Sequence, residues 1–354
     1  MVGGAPYDGT RAPLTPALVL RRWAMDYTLL GRTGVRVSRL ALGTMTFGGQ
    51  ADAAASRALF DRARAAGVNH FDTADVYNAG ASETLLGEFV RGCRDEVVLA
   101  SKAYFPTGAD RNARGTSRYH LVRACEASLR RLGTDRLDVY YLHRFDDDAD
   151  LEETLRGVEL LVQSGKVLYP AVSNFAAWQT MKALGLQRHH GWAPLVALQP
   201  MYNLAKRQAE VELLPMARSE GVAVFPYSPL GGGLLSGKYG ARDRPADGRI
   251  ASWAMYQARY GAEDHYALAE RFRALAAEHG WHPATLAIAW VMSHPGVTAP
   301  ILGATRVEQL EPALAAAERP LSDDLRARVG ALWPEPPPAT DRNEEGKVPG
   351  PGAR

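Results

Sequence analysis

The chain has 354 residues, of which 46% are hydrophobic and 23% charged, with a formal net charge of +2. That composition excludes a globally disordered chain, and the interleaved signs offer no nucleic-acid or anionic-membrane surface. Two cysteines, Cys93 and Cys125, are too few for a disulfide framework, which points to a cytoplasmic protein, and no apolar run approaches the ~20 residues of a membrane span.

In chain order, residues 1–25 show no steady period and read as a flexible leader, with Met25 a candidate true start. Arg21-Arg22 follows a short apolar stretch instead of preceding it, unlike a secretion signal. Residues 27–37, with the turn Gly31-Arg32-Thr33-Gly34, predict a β-hairpin. Apolar runs at 40–42, 69–71, 97–100, 137–142, 167–172, 195–198, 222–225 and 298–302 then predict buried strands. Between them, 53–66, 116–132, 151–164 and 207–219 carry apolar residues at helical spacing. This rhythm over residues 26–334 predicts a (β/α)8 TIM barrel, preceded by the hairpin and closed by an extra C-terminal helix. An open doubly wound sheet is the competitor, but LGTMTFGG stands where its GxGxxG fingerprint would follow the first strand. Residues 335–354, rich in Pro and Gly, read as a disordered tail.

In such a barrel the residues at the strand ends face the active rim. Here they are Asp72 with Tyr77 five residues on, Lys102, His143, Ser173-Asn174, Gln199 and Tyr227-Ser228. A phenol of pKa ~10 is a poor acid at neutral pH, and a nearby ammonium lowers that value. Asp72 would keep Lys102 charged, Lys102 would tune Tyr77, and His143 would orient a carbonyl oxygen. The set suits protonation of an oxygen as negative charge develops on it, which reduction of a carbonyl by a nicotinamide cofactor requires. Each residue alone has a plainer role: Asp72 as a loop cap, Tyr77 as a packing aromatic, Lys102 in a surface salt bridge, His143 as a core histidine. Their coincidence at the strand ends favours a catalytic set. A Schiff-base aldolase would also use Lys102, but has no need of Ser173-Asn174, Gln199 or the PYSPLGGG loop. Residues 232–239 approach the P-loop pattern but end in Tyr239, not Ser or Thr, leaving a phosphate contact for Lys238. The acidic run 146–150 reads as a solvated loop and helix cap, Cys93 and Cys125 as structural, and no spacing suggests a metal.

The stretches LGTMTFGG, FDTADVY, LASK, LDVYYLHRFD, VSNF, LQPMYNL, PYSPLGGGLLSGKY and ILGATRVEQL run in order over most of the chain. Together they resemble the aldo-keto reductase superfamily, and the YSPLGGGLLSGKY form resembles its branch of bacterial reductases and potassium-channel β subunits. The resemblance implies Tyr77 as general acid, Lys102 and Asp72 as its tuning pair and His143 as the carbonyl-orienting group. It implies Ser173, Asn174 and Gln199 at the nicotinamide carboxamide and Tyr227 stacked on the ring. It places Ser228, Pro229, Leu230, Gly232 and Lys238 along the pyrophosphate, Gly303, Thr305, Arg306 and Gln309 at the adenosine end, and Gly43, Thr44 and Met45 beside the cofactor. NADPH is implied ahead of NADH, and the partner is a small aldehyde or ketone, with an oligomer possible and neither nucleic acid nor membrane involved. Pro312-Ala313 departs from the polar pair common near the adenine, and Pro312 should kink its helix. A cofactor-sensing interaction protein like the channel subunits is the alternative, and reversible oxidation of a sugar hydroxyl a third reading. Specificity is expected from Tyr104-Phe105, Arg144-Phe145, Tyr202-Asn203 and residues 240–264. Arg144 would favour an acidic or phosphorylated substrate, although a structural salt bridge is the preferred reading.

Overall fold

The computed structural model describes residues 25–340, so the leader before Met25 and the tail from 341 onward lie outside the described residues. The hairpin is present: β1 (Tyr27–Leu29) pairs antiparallel with β2 (Arg36–Ser38), and Gly31 and Gly34 take the left-handed conformation in its turn. Eight parallel strands follow: β3 (Ala41–Gly43), β4 (His70–Asp72), β5 (Val98–Ala103), β6 (Leu137–Leu142), β7 (Val167–Ser173), β8 (Ala197–Gln199), β9 (Ala223–Val224) and β10 (Ile301–Leu302). Their spatial order is β10-β3-β4-β5-β6-β7-β8-β9. The two ends of this sheet also meet: Thr298 N–H donates to the Val224 carbonyl and Ile301 N–H to the Pro226 carbonyl, each at 2.9 Å. The expected barrel is thereby closed.

Side chains alternate as a barrel demands. Ala41, Val98, Ala100, Val139, Tyr141, Ala171, Ala197 and Phe225 form the interior, with Leu30 and Val37 of the hairpin packed into the same cluster. The hairpin therefore plugs one end of the barrel. The intervening residues, among them Leu42, Phe71, Leu99, Leu142, Val172 and Leu198, pack against the outer helices. Small alanines stand beside the large Tyr141 and Phe225 in the narrow interior.

The helices are α1 (Ala53–Ala65), α2 (Ala81–Val90), α3 (Arg118–Leu132), α4 (Leu151–Gln163), α5 (Ala177–His190), α6 (Leu213–Glu220), α7 (Arg249–Ser252), α8 (Ala254–Tyr260), α9 (Glu263–Glu278), α10 (Pro283–Met292), α11 (Val307–Leu314) and α12 (Asp323–Gly330). Side-chain caps start several of them: Asp52 accepts from Ala55 N–H, Ser117 from His120 N–H, and Asp150 from Glu152 and Glu153 N–H. The expected helix over 207–219 is shorter, a tight turn at Gln208–Glu210 followed by α6. Pro215 accounts for this, since it is tolerated only in a first turn, where its missing N–H breaks no intrahelical bond. Pro312 lies inside α11, yet the helix runs on to Leu314. The Pro312 carbonyl there accepts from Thr285 Oγ1 at 2.7 Å. Among the described residues no helix is long and apolar enough to cross a membrane, and no group of three or more His, Cys, Asp or Glu could hold a metal ion.

Candidate active site

β4 ends on Asp72, and Lys102 lies near the end of β5 beside it, so both side chains enter the barrel at the C-terminal rim of the strands. Lys102 is fully buried and uses all three donors of its ammonium. They go to Asp72 Oδ1 at 2.5 Å, to the Thr73 carbonyl at 2.7 Å and to the Tyr77 hydroxyl at 3.3 Å. Gln199 Nε2 donates to the other Asp72 oxygen at 2.9 Å. Asp72 is thus not a helix cap, and Lys102 is not in a surface ion pair. Burial alone would lower the Lys102 pKa, but Asp72 and Tyr77 outweigh it and hold the ammonium above its ordinary value. A Schiff-base lysine needs the opposite, a neutral amine.

Tyr77 is carried on a tight loop. The next residues, Asn78 and Ala79, are left-handed at φ 49° and 53°, and Asn78 Nδ2 fastens the loop to the Met45 and Phe47 carbonyls at 2.9 and 2.7 Å. Non-glycine residues in that region store backbone strain, a feature that clusters at functional sites. Burial raises the Tyr77 pKa, and Lys102 pulls it back only in part. The lowering expected from the sequence is therefore reversed, because a buried phenolate loses more hydration than one ammonium restores. The phenol keeps its proton at neutral pH and has a cation waiting beside its oxygen. His143 follows β6, with its ring edge-on to Tyr77 at 6.0 Å and to Phe105 at 5.0 Å between centroids. Burial, then the Lys102 charge, push its pKa well below the ordinary value, so the ring is neutral and carries one N–H.

These groups open into a cleft of about 1160 Å³. That exceeds the ~300–1,000 Å³ of a pocket for one drug-sized ligand. Every residue expected to touch a cofactor lines it except Thr44. Thr44 is fully buried behind the wall, where its N–H donates to the Asp72 carbonyl at 2.9 Å and its hydroxyl meets Ser82 Oγ at 2.8 Å. It braces Asp72. Asn174 ties the rim together, donating to the His143 carbonyl at 2.9 Å and accepting from the Tyr227 hydroxyl at 2.7 Å.

The far part of the cleft suits a dinucleotide. Gly231, Gly232 and Gly233 are left-handed in succession, and a Cβ on Gly232 would lie 2.5 Å from the Tyr256 ring, so only glycine fits that turn. Lys238 faces the cleft without a hydrogen bond or ion pair among the described residues, and Gly303 has open space in front of it. Backbone turns of this kind beside an ammonium without a hydrogen bond suit a phosphate group. Arg306 and Gln309 stand at the other end together with Pro312 and Ala313, which offer apolar surface there.

Segment 240–264 shows no period from which a lining residue could be read. α7 and α8 fold it over the cleft, adding Arg249, Met255, Tyr256 and Arg259 to the lining. Asp75 is also unforeseen. It is 2% exposed, and neither carboxylate oxygen meets a side-chain hydrogen-bond donor among the described residues. Burial, then the Glu83 charge, raise its pKa from 3.8 to about 7. The folded protein thus binds a proton that the unfolded chain releases, so Asp75 penalises the native state progressively as pH rises from about 4 to about 7. Asp75→Asn should remove this penalty, so its stability relative to wild type should rise across that window by about 4 kcal/mol. Urea unfolding of both proteins at pH 5, 6, 7 and 8 checks this, and parallel curves would refute it. His70, at 0% exposure, stays neutral against Phe225, its pKa lowered to about 4 by burial.

Fold and site together define a barrel enzyme with its polar centre at the C-terminal rim and a nucleotide-sized cleft leading away. The model of the aldo/keto reductase family matches residues 39–334. The chain is 40% identical over 323 residues to "Uncharacterized oxidoreductase YrpG" of Bacillus subtilis, covering 88% of this chain and 97% of that protein. It is 37% identical over 292 residues to "Probable voltage-gated potassium channel subunit beta" of Oryza sativa, covering 81% and 89%. It is 30% identical over 326 residues to "Versiconal hemiacetal acetate reductase" of Aspergillus parasiticus, covering 85% and 94%. The chain therefore belongs to the aldo/keto reductase family and is an oxidoreductase. The family acts on small carbonyl compounds with a nicotinamide dinucleotide.

Proposed function

We propose that this protein reduces an aldehyde or ketone to the alcohol with NADPH, Tyr77 acting as general acid. The observation that carries the reading is the buried chain Asp72–Lys102–Tyr77 at the head of the cleft. A bound nicotinamide supplies the hydride. The carbonyl oxygen sits between Tyr77 and His143, and the neutral His143 ring holds it through its single N–H. As charge develops on that oxygen Tyr77 releases its proton to it, and the Lys102 ammonium stabilises the phenolate left behind. Asp72 keeps Lys102 charged throughout. Ser173, Asn174 and Gln199 hold the carboxamide and Tyr227 lies against the ring. The loop from Ser228 to Gly232, with Lys238, takes the pyrophosphate. Gly303, Thr305, Arg306 and Gln309 take the adenosine end, where the Arg306 charge favours the extra phosphate of NADPH over NADH. Gly43 and Met45 close the near wall. The two free cysteines suit a cytoplasmic location.

Loss of NADPH absorbance over a panel of simple aldehydes and ketones, with NADH as control, tests the reading. Turnover with NADPH is expected. The rice channel-subunit relative favours a second reading, a cofactor-sensing interaction protein. Firm NADPH binding with no turnover of any carbonyl would select that one.

A further inference from the structure

The cleft carries charges that carbonyl reduction does not use. Its cationic lining is Arg144, Lys238, Arg249, Arg259 and Arg306. Its carboxylates are Asp72, Asp247 and Glu308. Asp72 is engaged by Lys102. Asp247 acts on Lys238, and Glu308 lies 3.8 Å from Arg306, both at the nucleotide end. Arg249 donates to Gln50. Among the cations of the cleft this leaves Arg144, next in sequence to His143, and Arg259 without an opposing carboxylate.

Neither guanidinium makes a hydrogen bond or ion pair among the described residues. The salt bridge preferred for Arg144 from the sequence is thus absent. The acidic run beside it is turned elsewhere: Asp146 accepts from Thr116 N–H at 2.7 Å, and Asp150 caps α4. Arg144 directly follows His143 at the end of β6. Arg259 comes from α8, beyond β9, three strands further round the barrel. Its guanidinium lies 5.9 Å from the Tyr256 ring centroid and within electrostatic reach of Tyr227. Phe105, Tyr227 and Tyr256 line the same space. Two guanidinium forks without an ion pair in a cleft with aromatic walls form a receptor for an oxyanion on a flat spacer.

We propose that the substrate is a carbonyl compound that also bears an oxyanion, a carboxylate or a phosphate ester, held by Arg144 and Arg259 while its carbonyl lies at Tyr77 and His143. This rests on the reductase reading. The test is calorimetric titration of the full chain, with and without NADP+, by 4-(hydroxymethyl)benzoate, 4-(hydroxymethyl)phenyl phosphate and methyl 4-(hydroxymethyl)benzoate. One of the two anions should bind about tenfold or more tighter than the neutral ester, and which one does identifies the oxyanion. The preference should shrink with added salt and fall toward unity in Arg144→Met and Arg259→Met. The kcat/KM ratio of 4-carboxybenzaldehyde, or of 4-formylphenyl phosphate, to methyl 4-formylbenzoate should fall in parallel. Each ratio is taken within one protein, so a general loss of folding cancels. Equal affinity for anions and ester overturns the proposal, as does a preference that survives both substitutions. Arginine variants that weaken NADPH binding and leave the ratio intact would assign these cations to the nucleotide and also overturn it. An arginine-dependent anion preference without reduction of any carbonyl would sustain the oxyanion seat and defeat the reductase reading.

Discussion

Tyr77→Phe is expected to lower turnover by about 10²–10⁴-fold while NADPH affinity stays within about twofold of wild type. Phenylalanine keeps the ring that lies edge-on to His143, so the packing of the loop persists. Only the hydroxyl is lost, and with it the one contact through which Lys102 reaches the reacting oxygen. The left-handed residues Asn78 and Ala79 remain fastened by the Asn78 amide, so the backbone has no reason to move. Steady-state rates beside a fluorescence titration of NADPH measure both quantities. A loss of affinity as large as the loss of rate would mean that Tyr77 holds the cofactor and does not supply the proton.

Lys102→Met should have a still broader effect. It leaves the Asp72 carboxylate, itself 2% exposed, without its counter-charge. Breaking one side of a buried ion pair costs about 3–5 kcal/mol, and turnover should collapse as well because nothing then stabilises the Tyr77 phenolate. The second half of the expectation separates the two roles. Asp72→Asn combined with Lys102→Met removes both charges, so most of the lost stability should return, since the two residues are in contact and their effects are not additive. Turnover should not return. Denaturant melts of the wild type, the single variant and the double variant decide it. Recovery of activity along with stability would show that the pair serves only to hold the fold.

Much of this architecture is legible in the sequence, because burial on both faces of a strand forces apolar runs and the barrel interior selects small side chains. Val98, Ala100 and Lys102 share one face of β5 and Leu99 the other, which the residue order already displays. The clustering of Asp72, Tyr77, Lys102 and His143 follows from strand ends meeting at one rim. What is hidden depends on direction and on chain segments without a period. Thr44 stands at the right place in its motif, yet its side chain turns inward to Asp72. Tyr256 and Arg259 lie in a segment where two short helices bury only Ile250, Tyr256 and Tyr260, too few to show a helical stripe. Arg144 sits beside an acidic run in sequence, but neighbours in a chain need not pair in space. The sign of the Tyr77 shift depends on its burial, which no spacing of residues reveals.

The most direct test of the central claim is the fate of deuterium from C4 of labelled NADPH in the alcohol formed by the wild-type protein, read by mass spectrometry. With both C4 hydrogens of NADPH replaced by deuterium, one deuterium is expected at the carbinol carbon, and the proton that Tyr77 gives to the oxygen is replaced from solvent. An alcohol without the label, or NADPH bound and never consumed with any carbonyl, would contradict it.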